Sequence, residues 1–417
     1  MKLEIGFGTS PQEVDIPEAN LLGILTPNEV TVGKTGEEAV RGALAQPIGA
    51  QSLCEVVRPG EKVVIITSDI TRPLPSYQVL PAILDELDAA RVEMNDVTVV
   101  FALGAHRFHT EAEMRKLVGE EVFTRVCCID GDPSDCVSLG TTKMGTPVDI
   151  VRIVTEADRR IAVGNIEYHY FAGYSGGAKA IMPGVSTRAA IQSNHSRMVL
   201  PEAAAGRLDD NPVRQDIEEA LTYCPLDFIV NVILDEKKEI IHAVAGDAIQ
   251  AHRVGCRFLD TLYQTEIPSR GDIVIVSQGG SPKDLNLYQT QKALDNAKHA
   301  VKKGGVIILV GSCKEGLGEE VFEEWMTGSE SPESMVKRIA EDFQLGGHKA
   351  AAIGMVLADA DVYLVSEMEP AFVERIFLKP YETVQKALDA AFEKMGREAS
   401  VLVMPYGGST LPKTRKL

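Results

Sequence analysis

Short runs of valine and isoleucine, each followed by a polar, glycine-bearing stretch and a longer amphipathic segment, recur along this chain. No other feature limits its fold so strongly. The runs lie at 62–67, 96–103, 160–165, 272–277, 305–311 and 362–366, and such alternation signals an α/β protein with mostly parallel sheets flanked by helices. Segment 76–90 carries Val79, Leu80, Ile83, Leu84 and Leu87 on one helical stripe, and Thr110-Glu111-Ala112-Glu113 has the form of a capping box. Residues 228–234 and 239–244 are β-like runs around Asp235-Glu236-Lys237-Lys238, which predicts an antiparallel hairpin. A helix over 251–263 follows, and Pro268 then marks the start of a fresh series. The expected organisation is two domains, residues 1–268 plus a returning segment 399–417, and residues 269–398.

With 417 residues the chain has room for two ordinary cores, and its 45% hydrophobic and 24% charged residues are those of a soluble globular protein. A net charge of -18, with basic residues gathered only in the short stretch 413–416, argues against a nucleic-acid partner. An acidic chain that binds an acidic ligand must therefore concentrate its positive charge locally. No stretch of about 18 apolar residues occurs, and the first residues lack a secretory pattern, so a cytoplasmic protein without a membrane span is expected. The seven cysteines form no C-x-x-C pair and read as reduced, mostly buried thiols.

In open α/β sheets ligands bind beyond the carboxyl ends of the strands, so the residues directly after each apolar run are the ones to collect. Four such loops are rich in chemistry: 68–73, 104–109, 165–183 and 278–292. The chain has only eight histidines, yet His106, His109 and His169 lie in these loops and His195 follows the third. A histidine takes and returns a proton near neutral pH, and inversion of a stereocentre needs such a group on each face of the reacting carbon. Each of these histidines alone would more commonly be a hydrogen-bonded surface residue; the weight comes from the group. A zinc site made of His106, His109 and His169 is the competing reading. The run from His169 through Gly173, Gly176 and Gly177 to Lys179 has glycines that permit positive φ and close approach of a ligand. It fits neither the P-loop nor the ordinary dinucleotide fingerprint. Lys179 stands among small and apolar residues, which favours a neutral, nucleophilic amine.

Asp69-x-Thr71-Arg72-Pro73, Gly104-x-His106-Arg107, His169-Tyr170-x-Ala172-Gly173-x-Ser175-Gly176-Gly177-x-Lys179, Asn194-His195 and Tyr288-Gln289-x-x-Lys292 occur in this order. In order and spacing they resemble the nickel-dependent lactate racemase family. The resemblance implies a racemase or epimerase of a small 2-hydroxy acid. It implies a nickel-pincer cofactor, a pyridinium mononucleotide with thioamide and thiocarboxylate groups, linked covalently to Lys179 and contacted by Asp69, Ile70, Thr71 and Arg72. His195 would be the protein ligand to nickel, His106 and His169 the two acid/bases, and Gln289 and Lys292 the substrate contacts from the second domain. Hydride would leave carbon 2 for the cofactor, giving a 2-oxo acid, and return to its other face. The site would lie in the interdomain cleft. Proteins that build the cofactor and insert nickel are implied as partners, and homo-oligomerisation is left open.

The likeness thins at Tyr168, where the family often has proline, and at Gly346-Gly347-His348-Lys349, where lactate-specific members have a tryptophan-containing segment; the one tryptophan here is Trp325. A 2-hydroxy acid that need not be lactate is therefore expected, with His348 and Lys349 either serving a larger or more acidic substrate or simply beginning a helix. The alternatives to a racemase are a zinc-dependent hydrolase or lyase on the same histidines, and a binder of the cofactor or a hydroxy acid without turnover.

Overall fold

The computed structural model describes residues 1–415, so Lys416 of the basic stretch falls outside it. The chain divides into two compact units, one of Val30–Asp260 and one of Met1–Glu29 together with the chain from Thr261 onward. After a small hairpin of Lys2–Ile5 and Gln12–Asp15, the strand β1 (Leu21–Ile24) joins the main sheet of the second of these.

The 30–260 unit is built on β2 (Val63–Ser68), β3 (Val97–Ala102), β4 (Cys127–Asp130), β5 (Arg159–Asn165), β6 (Phe228–Leu234) and β7 (Ile240–Gly246). They form one sheet in the order β7-β6-β5-β2-β3-β4, parallel throughout except for β6 against β7. The antiparallel pair is the predicted hairpin. Strands buried on both faces need apolar residues at every position, and Val63, Ile65, Ile66, Val99, Phe101, Ile161, Val230 and Val232 are all sealed from water. Helix α1 (Ser76–Ala89) covers one face, with Val79, Leu80, Ile83, Leu84 and Leu87 fully buried as its stripe predicts. After β2 the chain adds β3 and β4 on one side, then returns to place β5 on the other. The strand order therefore reverses at β2, and a crevice forms at the carboxyl ends there.

The second unit carries β8 (Gly271–Ser277), β9 (Val301–Val310), β10 (Asp361–Val365), β11 (Lys379–Tyr381) and β12 (Val401–Met404) in the order β11-β10-β9-β8-β12-β1, all parallel. Two expectations are corrected here. The described part of segment 399–417 does not return to the 30–260 unit: Val401–Met404 lies between Ile273–Val276 and Leu21–Ile24, and Leu411–Thr414 pairs with Gln264–Ile267. Residues 1–29 also belong to this unit rather than to the first. The physical reason is plain. Val401, Leu402, Val403 and Met404 are buried and need a strand on each side, but the short Leu-Leu-Gly-Ile run that supplies one side has no period of its own to announce it.

Among the described residues no helix is long and apolar enough to cross a membrane.

Candidate active site

The loops after β2, β3 and β4 are tied together by side chains. Asp69, 2% exposed, accepts the Thr71 hydroxyl at 2.8 Å and faces Nδ1 of His106 at 2.5 Å. Burial works to raise the Asp69 carboxyl. The hydrogen bond and charge of His106, with Thr71 and Arg72, outweigh it and hold the group below the usual carboxylate range. With Nδ1 on the carboxylate, Nε2 of His106 is the nitrogen left for chemistry. His109 is turned the other way: Nδ1 donates to Asp130 at 2.6 Å, and Nε2 accepts the Ile70 N–H at 3.0 Å. Its side chain is 1% exposed and Asp130 also takes its backbone N–H, at 2.7 Å. His109 thus fixes the 69–72 loop rather than standing free. Both of its nitrogens are committed, which removes it from the three-histidine zinc site, and no cluster of three or more His, Cys, Asp or Glu able to hold a metal exists among the described residues. Arg72 is exposed at the end of the loop, where its planar fork can meet an anion.

On the far side of β2 the chain leaves β5 through a small antiparallel turn, Tyr168–His169 against Gly173–Tyr174. His169 accepts the Ala172 N–H on Nδ1 at 3.2 Å and packs edge-on against Phe171. Burial first, then the charges of Lys179, His195, Arg72 and Arg214, drive its basicity well below that of a free imidazole. Lys179 follows on a short turn of helix. Its ammonium too is strongly disfavoured, by burial and by Arg214 and Arg72, with Glu167 opposing. Such surroundings favour the neutral amine, the form that makes covalent links.

Gly173, Gly176 and Gly177 have positive φ as expected, and the space a side chain would need there is taken by the protein itself. A Cβ on Gly173 would lie 1.9 Å from the Arg207 carbonyl, and one on Gly177 would meet the His252 ring at 2.9 Å. Their role is close packing of the loop onto the protein. The carbonyls are held as well: Asn211 donates to Phe171, Arg214 to Ala172 and Tyr174, and His252 Nε2 to Ser175. Asn211 also caps α2 (Pro212–Glu219), on which Arg214 is completely buried. Burial draws the Arg214 guanidinium down to about 10. One of its nitrogens has no hydrogen-bond partner. None of these residues stands out in the sequence. Arg214 and Glu218 at i and i+4 look like an ordinary surface pair, and a polar residue on an amphipathic helix gives no sign of facing a loop.

His195 closes the helix Arg188–His195 and is 7% exposed. Its Nδ1 meets the Asn194 amide oxygen at 2.9 Å. The orientation of that amide is set by its nitrogen, which donates to Asp216 at 2.7 Å and to the Val213 carbonyl at 3.1 Å. The oxygen must then face His195, so Nδ1 carries the proton and Nε2 the lone pair. That is the support a metal-binding imidazole requires.

In the other unit, Gln289 and Lys292 occupy the first turns of α3 (Leu287–Ala297), capped by Asn286, whose oxygen accepts the Gln289 N–H at 3.0 Å. Gln289 is half-buried and Lys292 exposed. His348 begins a second helix, α4 (Gly347–Leu357), by accepting the Gly346 N–H at 2.9 Å.

Residues 7–206 match the family model of the lactate racemase N-terminal domain, and residues 267–411 that of the lactate racemase C-terminal domain. The chain is 33% identical to a lactate racemase of Thermoanaerobacterium thermosaccharolyticum over 99% of both chains, and 33% identical to one of Lactiplantibacillus plantarum over 90% of this chain and 91% of that one. The structure of the lactate racemase apoprotein from Thermoanaerobacterium thermosaccharolyticum superposes with a TM-score of 0.87, covering 99% of this chain and 100% of that one at 33% identity. A crystal structure of a protein from Thermotoga maritima shares the fold at 18% identity, with a TM-score of 0.63 over 93% of this chain and 100% of that one.

Proposed function

The chain belongs to the lactate racemase family, and from that premise we propose that it is an isomerase inverting a small 2-hydroxy acid at carbon 2, with a nickel-pincer pyridinium cofactor. The observation that carries this reading is the strand order β5-β2-β3. It brings His169, after β5, and His106, after β3, to either side of the loop holding Asp69 to Arg72.

The residues present fit that cofactor. Lys179 offers an amine whose charged form is disfavoured by burial, suited to the covalent link, and His195 offers Nε2, with its tautomer fixed through Asn194 and Asp216. Asp69, Ile70, Thr71 and Arg72 form the loop that would border the mononucleotide, Arg72 supplying the charge for its phosphate. When bound, such a cofactor supplies a reversible hydride acceptor beside carbon 2.

The chain's own part is proton management. Of the two histidines, His169 is kept neutral by its surroundings, suited to accept the substrate hydroxyl proton. His106 backs onto the Asp69 carboxylate, which stabilises the imidazolium once a proton is taken. Loss of hydroxyl proton and α-hydride leaves a planar 2-oxo acid. The opposite histidine would then return the hydroxyl proton from the other side of the substrate, giving the inverted product, and the two histidines would exchange roles for the other enantiomer. Gln289 and Lys292 hold the carboxylate, one as an amide donor and one as a point charge. Partner proteins that build the cofactor and insert nickel are part of the proposal.

The test is made on chain produced alongside those proteins. A mass increment on the Lys179 peptide, about one nickel per chain and α-deuterium exchange into a 2-hydroxy acid are the expected results. Unmodified Lys179 and no exchange with any 2-hydroxy acid, despite that supply, would remove the reading.

A further inference from the structure

Lys349 is only 7% exposed, an uncommon place for a lysine. It stands in the first turn of α4, and its Nζ donates to the Tyr288 carbonyl at 2.5 Å and lies 3.8 Å from the centre of the Tyr288 ring. Tyr288 and Lys292 are one turn apart on α3, so the two side chains share a face of that helix. The Lys349 ammonium therefore sits against the face from which Lys292 springs, with Gln289 between them in sequence. Its surroundings do not balance it. Burial and Lys292 both oppose its charge, Asp295 and Glu319 favour it less strongly, and its pKa falls to about 7. Two like charges brought together beside a low-dielectric wall are costly unless an anion joins them.

Of the two residues that open α4, His348 is accounted for by the Gly346 N–H. Lys349 is not accounted for by helix initiation, since only its backbone is needed for that. The wall behind it is fixed: a Cβ on Gly347 would come within 2.3 Å of Trp325, whose indole N–H is held by Gln344 at 3.0 Å. With one of its three N–H groups on a carbonyl, Lys349 has donors for a two-oxygen anion.

We infer that Lys349 is a second anion anchor beside Gln289 and Lys292, and that the substrate is a 2-hydroxy acid carrying a second carboxylate. The inference rests on the proposed function for the role of Gln289 and Lys292. Lactate would fill one anchor, whereas a four-carbon hydroxy diacid would fill both. A charge-assisted hydrogen bond of this kind is worth roughly tenfold or more in affinity.

The experiment is calorimetric titration of the cofactor-loaded chain with malate and with lactate, alongside α-deuterium exchange for each. Malate is expected to bind about tenfold or more tightly than lactate. In Lys349→Met the ratio should fall to about one, and Lys349→Arg should restore part of it, which a merely structural role for the side chain would not do. Equal affinities in the native chain, or a preference for malate that survives Lys349→Met, would overturn the inference whether or not exchange is seen. Absence of exchange with both acids, while the binding preference and its loss in Lys349→Met persist, would instead count against the proposed reaction and leave the anchor standing.

Discussion

The loop from Glu167 to Gly184 and the helix start at Gln289 and Lys292 are built on opposite principles. In the loop, carbonyls are met by Asn211, Arg214 and His252, and glycines press on backbone and ring atoms. Lys292, by contrast, is an exposed side chain in the first turns of a regular helix with a capped end. The first arrangement leaves a side chain almost no freedom; the second lets one be exchanged without disturbing its neighbours. Chemistry that must stay the same across a family belongs on the former, and recognition that varies with substrate belongs on the latter. One departure from the family, at residues 346–349, lies on a helix start of the second kind, while the other, Tyr168, lies at the edge of the held loop, where its hydroxyl donates to Asp260 at 2.8 Å.

If the contrast is sound, changes in the rigid region should be the more damaging. His106→Ala and His169→Ala should each lower racemisation by roughly 10²–10⁴-fold with nickel content kept; near-native turnover in either would break the two-base scheme. Arg214→Met should strip the Ala172 and Tyr174 carbonyls of their donors and cost about 3 kcal/mol of stability. A melting temperature close to native would show that the loop is not held as described. His109→Ala frees the Ile70 N–H and should reduce kcat/KM by roughly 10–100-fold, acting on kcat as well as KM because the His106–Asp69 pair shifts with the loop. On the tolerant side, Gln289→Ala should raise KM by about tenfold or less with kcat largely kept. The smallest effect concerns pH. Lys349, lowered to about 7 by burial and Lys292 against Asp295 and Glu319, is charged below that value and neutral above it. The KM for a hydroxy diacid should therefore rise a few-fold between pH 6 and 8 in the native chain and stay flat in Lys349→Met.

Much of this architecture can be read from local pattern. The apolar runs become strands, the stripe from Val79 to Leu87 is buried throughout, and Thr110 and Glu113 form their capping box. Asp69, His106 and His169 stand at or soon after strand ends, as their positions suggest, while Lys179 follows on a short helical turn and His195 ends a helix. What escapes is whatever depends on a partner distant in sequence. Asp130 reads as the end of a strand, and only the fold brings it to His109, 21 residues earlier. Arg214 is 40 residues from the carbonyl it holds. The pairing of Leu21–Ile24 with Val401–Met404 joins segments whose sequences carry no sign of each other. Periodicity reports which face of an element is dry, and says nothing about what dries it.

That last pairing bears on how the molecule is made. The strand at Leu21–Ile24 leaves the ribosome early and has no neighbour in its sheet until Val401–Met404 has been synthesised. At ~5–20 residues per second the wait is roughly 20–75 s. The whole 30–260 unit is complete within that interval and can fold while the first 29 residues are still unclaimed. Birth order and sheet order are thus opposed at this edge, and a strand made among the first is among the last to find its place.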